Sequence, residues 1–216
     1  MHIIQTQYTR QFKFLFHIQL FVLILITGYS SLIKADTERL LILGDSLSAA
    51  YGMSEQDGWV ALLQKQLAEE NIKIVNASIS GETTFGGKNR LPALLKKYQP
   101  KWIIVELGAN DALRGQNLKI TKQNLQKIIT QSQQQGAKVL LLGIRLPTNY
   151  GMAYDKMLQK VYKTIATKNE LLFDPFFLET VALNPKMMQA DALHPNEKAQ
   201  SLILNRLKPL IKQLLD

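Results

Sequence analysis

The sequence predicts an α/β fold built on a parallel sheet, from three observations: five short aliphatic runs, helical patterns between them, and little period-two alternation inside most of the runs. A strand buried on one face alternates apolar with polar residues, whereas a nearly continuous apolar run marks a strand covered on both faces, as in βαβ units. The runs are residues 39–43, 72–75, 102–107, 139–142 and 171–173. Between them, Trp59, Leu62, Leu63 and Leu67 recur at helical spacing, as do Leu202, Ile203, Leu207, Leu210, Ile211 and Leu214 near the end. Pro209 falls within that last stripe, where a kink or a restart is expected.

The first 35 residues read differently. Arg10 and Lys13 precede an apolar run over residues 14–26, broken only by His17 and Gln19, and Ile33-Lys34-Ala35 ends in a small residue suited to cleavage before Asp36. The pattern is that of a signal peptide; the run is shorter than the roughly 20 apolar residues of a spanning helix. An uncleaved anchor is the alternative. The expectation is therefore a leader over residues 1–35 and one domain over residues 36–216, exported to the periplasm. No linker, low-complexity tract or internal repeat divides that domain.

Composition excludes several chemistries. With no cysteine there is no disulfide, thiolate nucleophile, Cys-ligated metal or lipid-anchored cysteine. The formal charge of +9 includes Arg10, Lys13 and Lys34 of the leader, leaving 23 basic against 17 acidic residues. The excess lysine is spread along the chain without interleaved aromatics, which argues against nucleic acid and for a solvated basic surface with weak attraction to anionic membranes. The three histidines are His2, His17 and His194, and the first two lie in the leader. A multi-histidine metal site is thus excluded from one mature chain, and any Ser-His mechanism must use His194.

Ligand sites of open parallel sheets form at the carboxyl ends of the strands. The first such loop is Gly44-Asp45-Ser46-Leu47-Ser48, which places a hydroxyl there, with Gly44 letting the chain turn tightly. Alone, it describes a turn and helix cap as well as a nucleophile, and Ser48 departs from the Gly-x-Ser-x-Gly elbow. The last loop holds Asp191-Ala192-Leu193-His194-Pro195. Proline favours the first helical position, so His194 is expected at a helix entrance, on a turn short enough to fold the Asp191 carboxylate back onto the imidazole. Two other strand-end loops, Asn76-Ala77-Ser78-Ile79-Ser80-Gly81-Glu82 and Gly108-Ala109-Asn110-Asp111, offer hydrogen-bond donors for a developing oxyanion. The candidates are the amides of Ser46 and Gly81 and the side chain of Asn110; a positive-φ glycine and a helix cap are the plainer readings.

Together the four segments resemble the SGNH, or GDSL, hydrolases, in this order and with about this spacing. The stretches Leu41-Ile42-Leu43-Gly44-Asp45-Ser46-Leu47-Ser48-Ala49, Arg90-Leu91-Pro92-Ala93-Leu94-Leu95-Lys96 and Ile144-Arg145-Leu146-Pro147 are similar to the periplasmic thioesterase and lysophospholipase branch of that family from Gram-negative bacteria. The resemblance implies a flavodoxin-like three-layer α/β/α sandwich with sheet order 2-1-3-4-5. It further implies a catalytic triad of Ser46, Asp191 and His194 with oxyanion donors on Ser46, Gly81 and Asn110. In the family the loop after the asparagine block moves over the acyl chain, which here is residues 111–116. Asp111, Arg114, Gly115, Leu146, Pro147 and Tyr150 are accordingly expected against the substrate. Two departures are Ala109, a stiffer residue than the glycine of close relatives, and Ala50, read as a packing change. The implied activity is hydrolysis of a small acyl ester, thioester or lysophospholipid through an acyl-enzyme, by a monomer without cofactor or metal. A carbohydrate O-acetyl esterase and a non-catalytic lipid-binding envelope module are the rival expectations.

Overall fold

The aliphatic runs become β1 (Glu38–Gly44), β2 (Ile72–Asn76), β3 (Trp102–Glu106), β4 (Lys138–Leu142) and β5 (Leu172–Asp174) in the computed structural model, which describes residues 37–216. All pairings are parallel and the order is β2-β1-β3-β4-β5, the expected topology. The expected leader lies outside the described residues. Leu40 to Leu43 and every residue of β3 are buried, so both faces of the central strands are covered. Each such aliphatic side chain contributes roughly 1.5–3 kcal/mol of burial free energy.

Between the strands run α1 (Trp59–Gln66), α2 (Thr84–Tyr98), α3 (Ala109–Leu113), α4 (Leu118–Gln134) and α5 (Met152–Lys168), and α6 (Glu197–Leu215) follows β5. Helix α4 packs between α2 and α5, while α1 packs on α6. The N–H of Trp59 donates to the Gln200 side chain at 3.1 Å, tying the start of α1 to α6. Asn side chains cap two starts: Asn117 accepts from the Lys119 amide and Asn196 from that of Lys198. Among the described residues no helix is long and apolar enough to cross a membrane.

Two local expectations gain detail. Helix α6 runs through Pro209 as one element. Pro209 and Asn205, whose carbonyl loses its helical partner, are both exposed, so that carbonyl is open to solvent. Ala50, read as a packing change, is buried and has a φ of 57°, in the left-handed region that favours glycine, so alanine there also carries a backbone cost.

Candidate active site

The four singled-out loops converge at the carboxyl ends of β1, β2 and β3 and at the segment before α6. The β1–β2 ladder continues past the strands, with Ala77 N–H donating to the Ile42 carbonyl at 2.9 Å and Ile79 N–H to that of Gly44 at 3.1 Å. This brings the Gly81 loop alongside Ser46. The Asn76 side chain donates to the Ser48 carbonyl at 2.9 Å and pins the serine turn from the same side.

Gly44 serves a purpose other than the tight turn expected of it. Its φ is not in the left-handed region, but a Cβ there would lie 2.9 Å from Glu106 Oε2 and from the Ser48 side chain. The glycine is needed for close approach, with Glu106 beside it across the β1–β3 register.

Ser46 Oγ lies 2.9 Å from His194 Nε2, and His194 Nδ1 lies 2.6 Å from Asp191 Oδ2. The Asp191 Oδ1 atom accepts the N–H groups of Leu193 at 2.9 Å and His194 at 3.0 Å, closing the turn that the spacing suggested. Burial pushes the Asp191 carboxyl up, but those amides and the imidazole more than offset it and hold it down at about 2. Ala192 inside this turn has φ 55°, a strained conformation for alanine. The turn is held from outside by Gln189, whose N–H donates to the His194 carbonyl at 2.7 Å and whose side chain donates to the carbonyls of Tyr51 and Pro195. Pro195 pairs with Met188 in an antiparallel bridge and Asn196 caps α6. The proline is thus two residues short of the first helical position, and a bridged loop, not a helix entrance, presents His194. The Tyr51 ring packs on the imidazole with centroids 4.5 Å apart.

The oxyanion candidates Ser46, Gly81 and Asn110 line the same cavity. Gly81 has φ 77°, and neither its N–H nor that of Ser46 meets an acceptor among the described residues. Asn110 occupies the first turn of α3, behind Gly108 at φ 118°. Alanine at 109 begins this helix, where it is favoured over glycine by up to about 1 kcal/mol. The Asn110 amide donates to Asp45 Oδ2 and to the Glu82 carbonyl, each at 3.0 Å.

Beside these groups opens a cavity of about 580 Å³, lined by Ser46, Gly81, Asn110 and His194 together with Leu47, Leu113, Ile144, Leu146, Pro147, Phe176, Leu178, Ala182, Leu183 and Leu193. Of the expected substrate contacts, only Leu146 and Pro147 are among its walls. Asp111 is turned into the interior, where it accepts from the Thr84 N–H at 2.8 Å and the hydroxyls of Thr84 and Thr121. Arg114 donates to the Gly81 carbonyl at 2.9 Å, bracing the oxyanion loop from outside the cavity. Gly115 forms the turn after α3 at φ 66°, and Tyr150 stands exposed away from the walls. The segment after β5 that supplies Phe176, Leu178, Ala182 and Leu183 was not anticipated, nor was the Tyr51 contact.

The sequence profile of the GDSL-like Lipase/Acylhydrolase family matches residues 42–202. Esterase TesA of Pseudomonas aeruginosa is 47% identical over 184 residues, covering 84% of this chain and 92% of that one. Thioesterase 1/protease 1/lysophospholipase L1 of Escherichia coli is 44% identical over 202 residues, covering 92% and 95%. Among solved structures, the psychrotrophic esterase EstA from Pseudoalteromonas, inhibited by monoethylphosphonate, superposes with a TM-score of 0.78 at 43% identity, over 82% of this chain and 98% of that one.

Proposed function

The chain belongs to the GDSL-like lipase/acylhydrolase family, and on that premise we propose that it is a serine hydrolase that cleaves acyl esters and thioesters through an acyl-enzyme on Ser46. The observation that carries the reading is the unbroken relay from Ser46 Oγ to His194 Nε2 and from His194 Nδ1 to Asp191, set at the edge of an apolar cavity. His194 takes the hydroxyl proton as Oγ attacks the carbonyl carbon, and the imidazolium returns it to the leaving alcohol or thiol. Water then attacks the acyl-enzyme by the same route. Asp191 stays ionised across the working range, its carboxyl held down at about 2, and so steadies the imidazolium throughout. The free N–H groups of Ser46 and Gly81, with the Asn110 amide, receive the charge that develops on the carbonyl oxygen. Each such donor is worth roughly 2.7–4 kcal/mol in the transition state.

A cavity of about 580 Å³ walled by leucine, isoleucine and phenylalanine accommodates far more than an acetyl group. The acyl group is accordingly a fatty chain, with lysophospholipids and lipid-like esters as the natural class; residues 1–35 act as the export leader and the enzyme works in the periplasm. The test is fluorophosphonate labelling and hydrolysis of p-nitrophenyl esters from acetyl to palmitoyl by the protein lacking residues 1–35. Labelling and turnover vanish in Ser46→Ala, and the rate rises beyond acetyl. Labelling that persists in Ser46→Ala ends the mechanism, and activity confined to acetyl ends the fatty-acyl reading in favour of a carbohydrate deacetylase.

A further inference from the structure

Behind the oxyanion loops two carboxyl groups meet in the interior. Glu106, the last residue of β3, is 2% exposed, and Asp45, just before the serine, is 0% exposed. Their meeting follows from the sheet: Gly44 and Glu106 are register partners, and the missing Cβ of Gly44 leaves the space that the glutamate fills. Glu106 Oε2 accepts the Ser48 hydroxyl at 2.8 Å and the Asp45 N–H at 3.2 Å. Asp45 spends Oδ1 on the Leu47 N–H at 3.0 Å and Oδ2 on the Asn110 amide at 3.0 Å. Among the described residues no lysine or arginine bonds to either carboxyl, so two negative charges here would repel in a dry interior, and the pair must hold a proton.

Its location follows from the partners. Burial raises both acids, Asp45 to about 6 against the pull of the Leu47 amide, and Glu106 well above the ordinary range through burial and the charge of Asp45. At neutral pH the proton sits on Glu106 and is donated to Asp45. Asp45 is in turn one of two acceptors that fix the Asn110 amide, the other being the Glu82 carbonyl. Both amide hydrogens are therefore engaged at rest, and the oxyanion must share or take one of them. A proton donated to Asp45 removes the repulsion that would displace this acceptor. It also draws off charge that would otherwise hold the amide hydrogen against the oxyanion.

We propose that Glu106 is a positioning residue for hydrolysis: as a neutral acid donating to Asp45, it fixes and moderates the acceptor that aims the Asn110 amide at the oxyanion. This rests on Asn110 serving as an oxyanion donor, as proposed above. Glu106 touches neither substrate nor the reacting atoms, and it belongs to no wall of the cavity. Glutamine at this position keeps one donor for Asp45 and one acceptor for Ser48 and the Asp45 amide; alanine keeps neither.

The test combines kinetics with a spectroscopic signature. In Glu106→Gln, kcat stays within about threefold of the parent; in Glu106→Ala it falls about ten- to a hundredfold, the scale of a misaligned catalytic group, while KM moves less than about twofold. The infrared spectrum of the parent at pH 8 contains a protonated-carboxyl stretch that is lost in Glu106→Gln. Absence of that band, a Glu106→Gln variant that folds but loses about tenfold or more in kcat, or a folded Glu106→Ala with full kcat would each overturn the proposal. If the alanine variant does not fold, the band and the glutamine variant still decide it. The band does not depend on turnover, and Ser46→Ala tests the hydrolase reading separately, so the two failures are told apart.

Discussion

Replacing Asp191 by asparagine separates the two tasks of this carboxylate. Oδ1 closes the turn by accepting the Leu193 and His194 amides, and an asparagine carbonyl oxygen does the same. Oδ2, 2.6 Å from Nδ1, becomes an NH2 group that can only donate. The imidazole then adopts the tautomer with its proton on Nε2, facing Ser46 Oγ as a donor at the 2.9 Å contact where a base is required. In other serine hydrolases this tautomer reversal costs about 10⁴ in kcat. Here the Asp191 side chain is 41% exposed, so solvent screens part of its effect on the imidazolium, and the expected loss is about 10³-fold, or ~4 kcal/mol. The assay is kcat on p-nitrophenyl butyrate at pH 8 beside a thermal melt, with the midpoint within about 2 °C of the parent because the turn is preserved. Asp191→Ala, which also frees two amides, costs about 1 kcal/mol more in stability. A folded Asp191→Asn protein losing less than about tenfold in kcat would refute the tautomer argument.

Three further outcomes follow from the same geometry. Gly44→Ala pushes a methyl group to 2.9 Å from Glu106 Oε2 and Ser48 and is expected to destabilise by about 1–3 kcal/mol in urea titration; a neutral effect would mean that the close approach is not real. Asn110→Ala lowers kcat about 10²–10³-fold with KM little changed, and an equal rise in KM would assign Asn110 to ground-state binding instead. Asp45 titrates at about 6 in the fold against an ordinary 3.8, so its contribution to stability as a neutral acid is complete below pH 3.8 and is lost as pH rises through 6. The change is on the order of 3 kcal/mol between pH 4 and pH 7, measured by urea titration, and Asp45→Asn should flatten that slope.

The strands were legible because an aliphatic run flanked by turn residues leaves a parallel strand few alternatives, whereas their order followed from the family resemblance alone. The positions of Ser46 and Asn110 were legible because strand-end loops are where such a sheet places ligands, and His194 because no other imidazole lies in the expected mature chain. Asp111 was expected against the substrate from the resemblance, while its inward side chain, held by Thr84 and Thr121, left no sign in the sequence. Arg114 and Gly115 were named on the same resemblance, as part of a loop that moves over the acyl chain. The walls after β5 left no signal because their irregular turns carry no period. Glu106 did leave one: an acid ending the otherwise apolar run Trp102-Ile103-Ile104-Val105 is costly to bury without a purpose. What could not be read was its partner, since the β1–β3 register brings together residues 61 positions apart.

The contact between Ser46 and His194 spans 148 positions, and strands β2 to β5 all lie between the two along the chain. During synthesis, therefore, the nucleophile emerges long before its base. A growing or partly delivered chain carries the serine, both oxyanion loops and most of the sheet, yet lacks the group that activates them. Hydrolytic competence arrives in one step, when the segment carrying His194 docks beside Ser46, so an esterase of this build stays inert until that segment has been made.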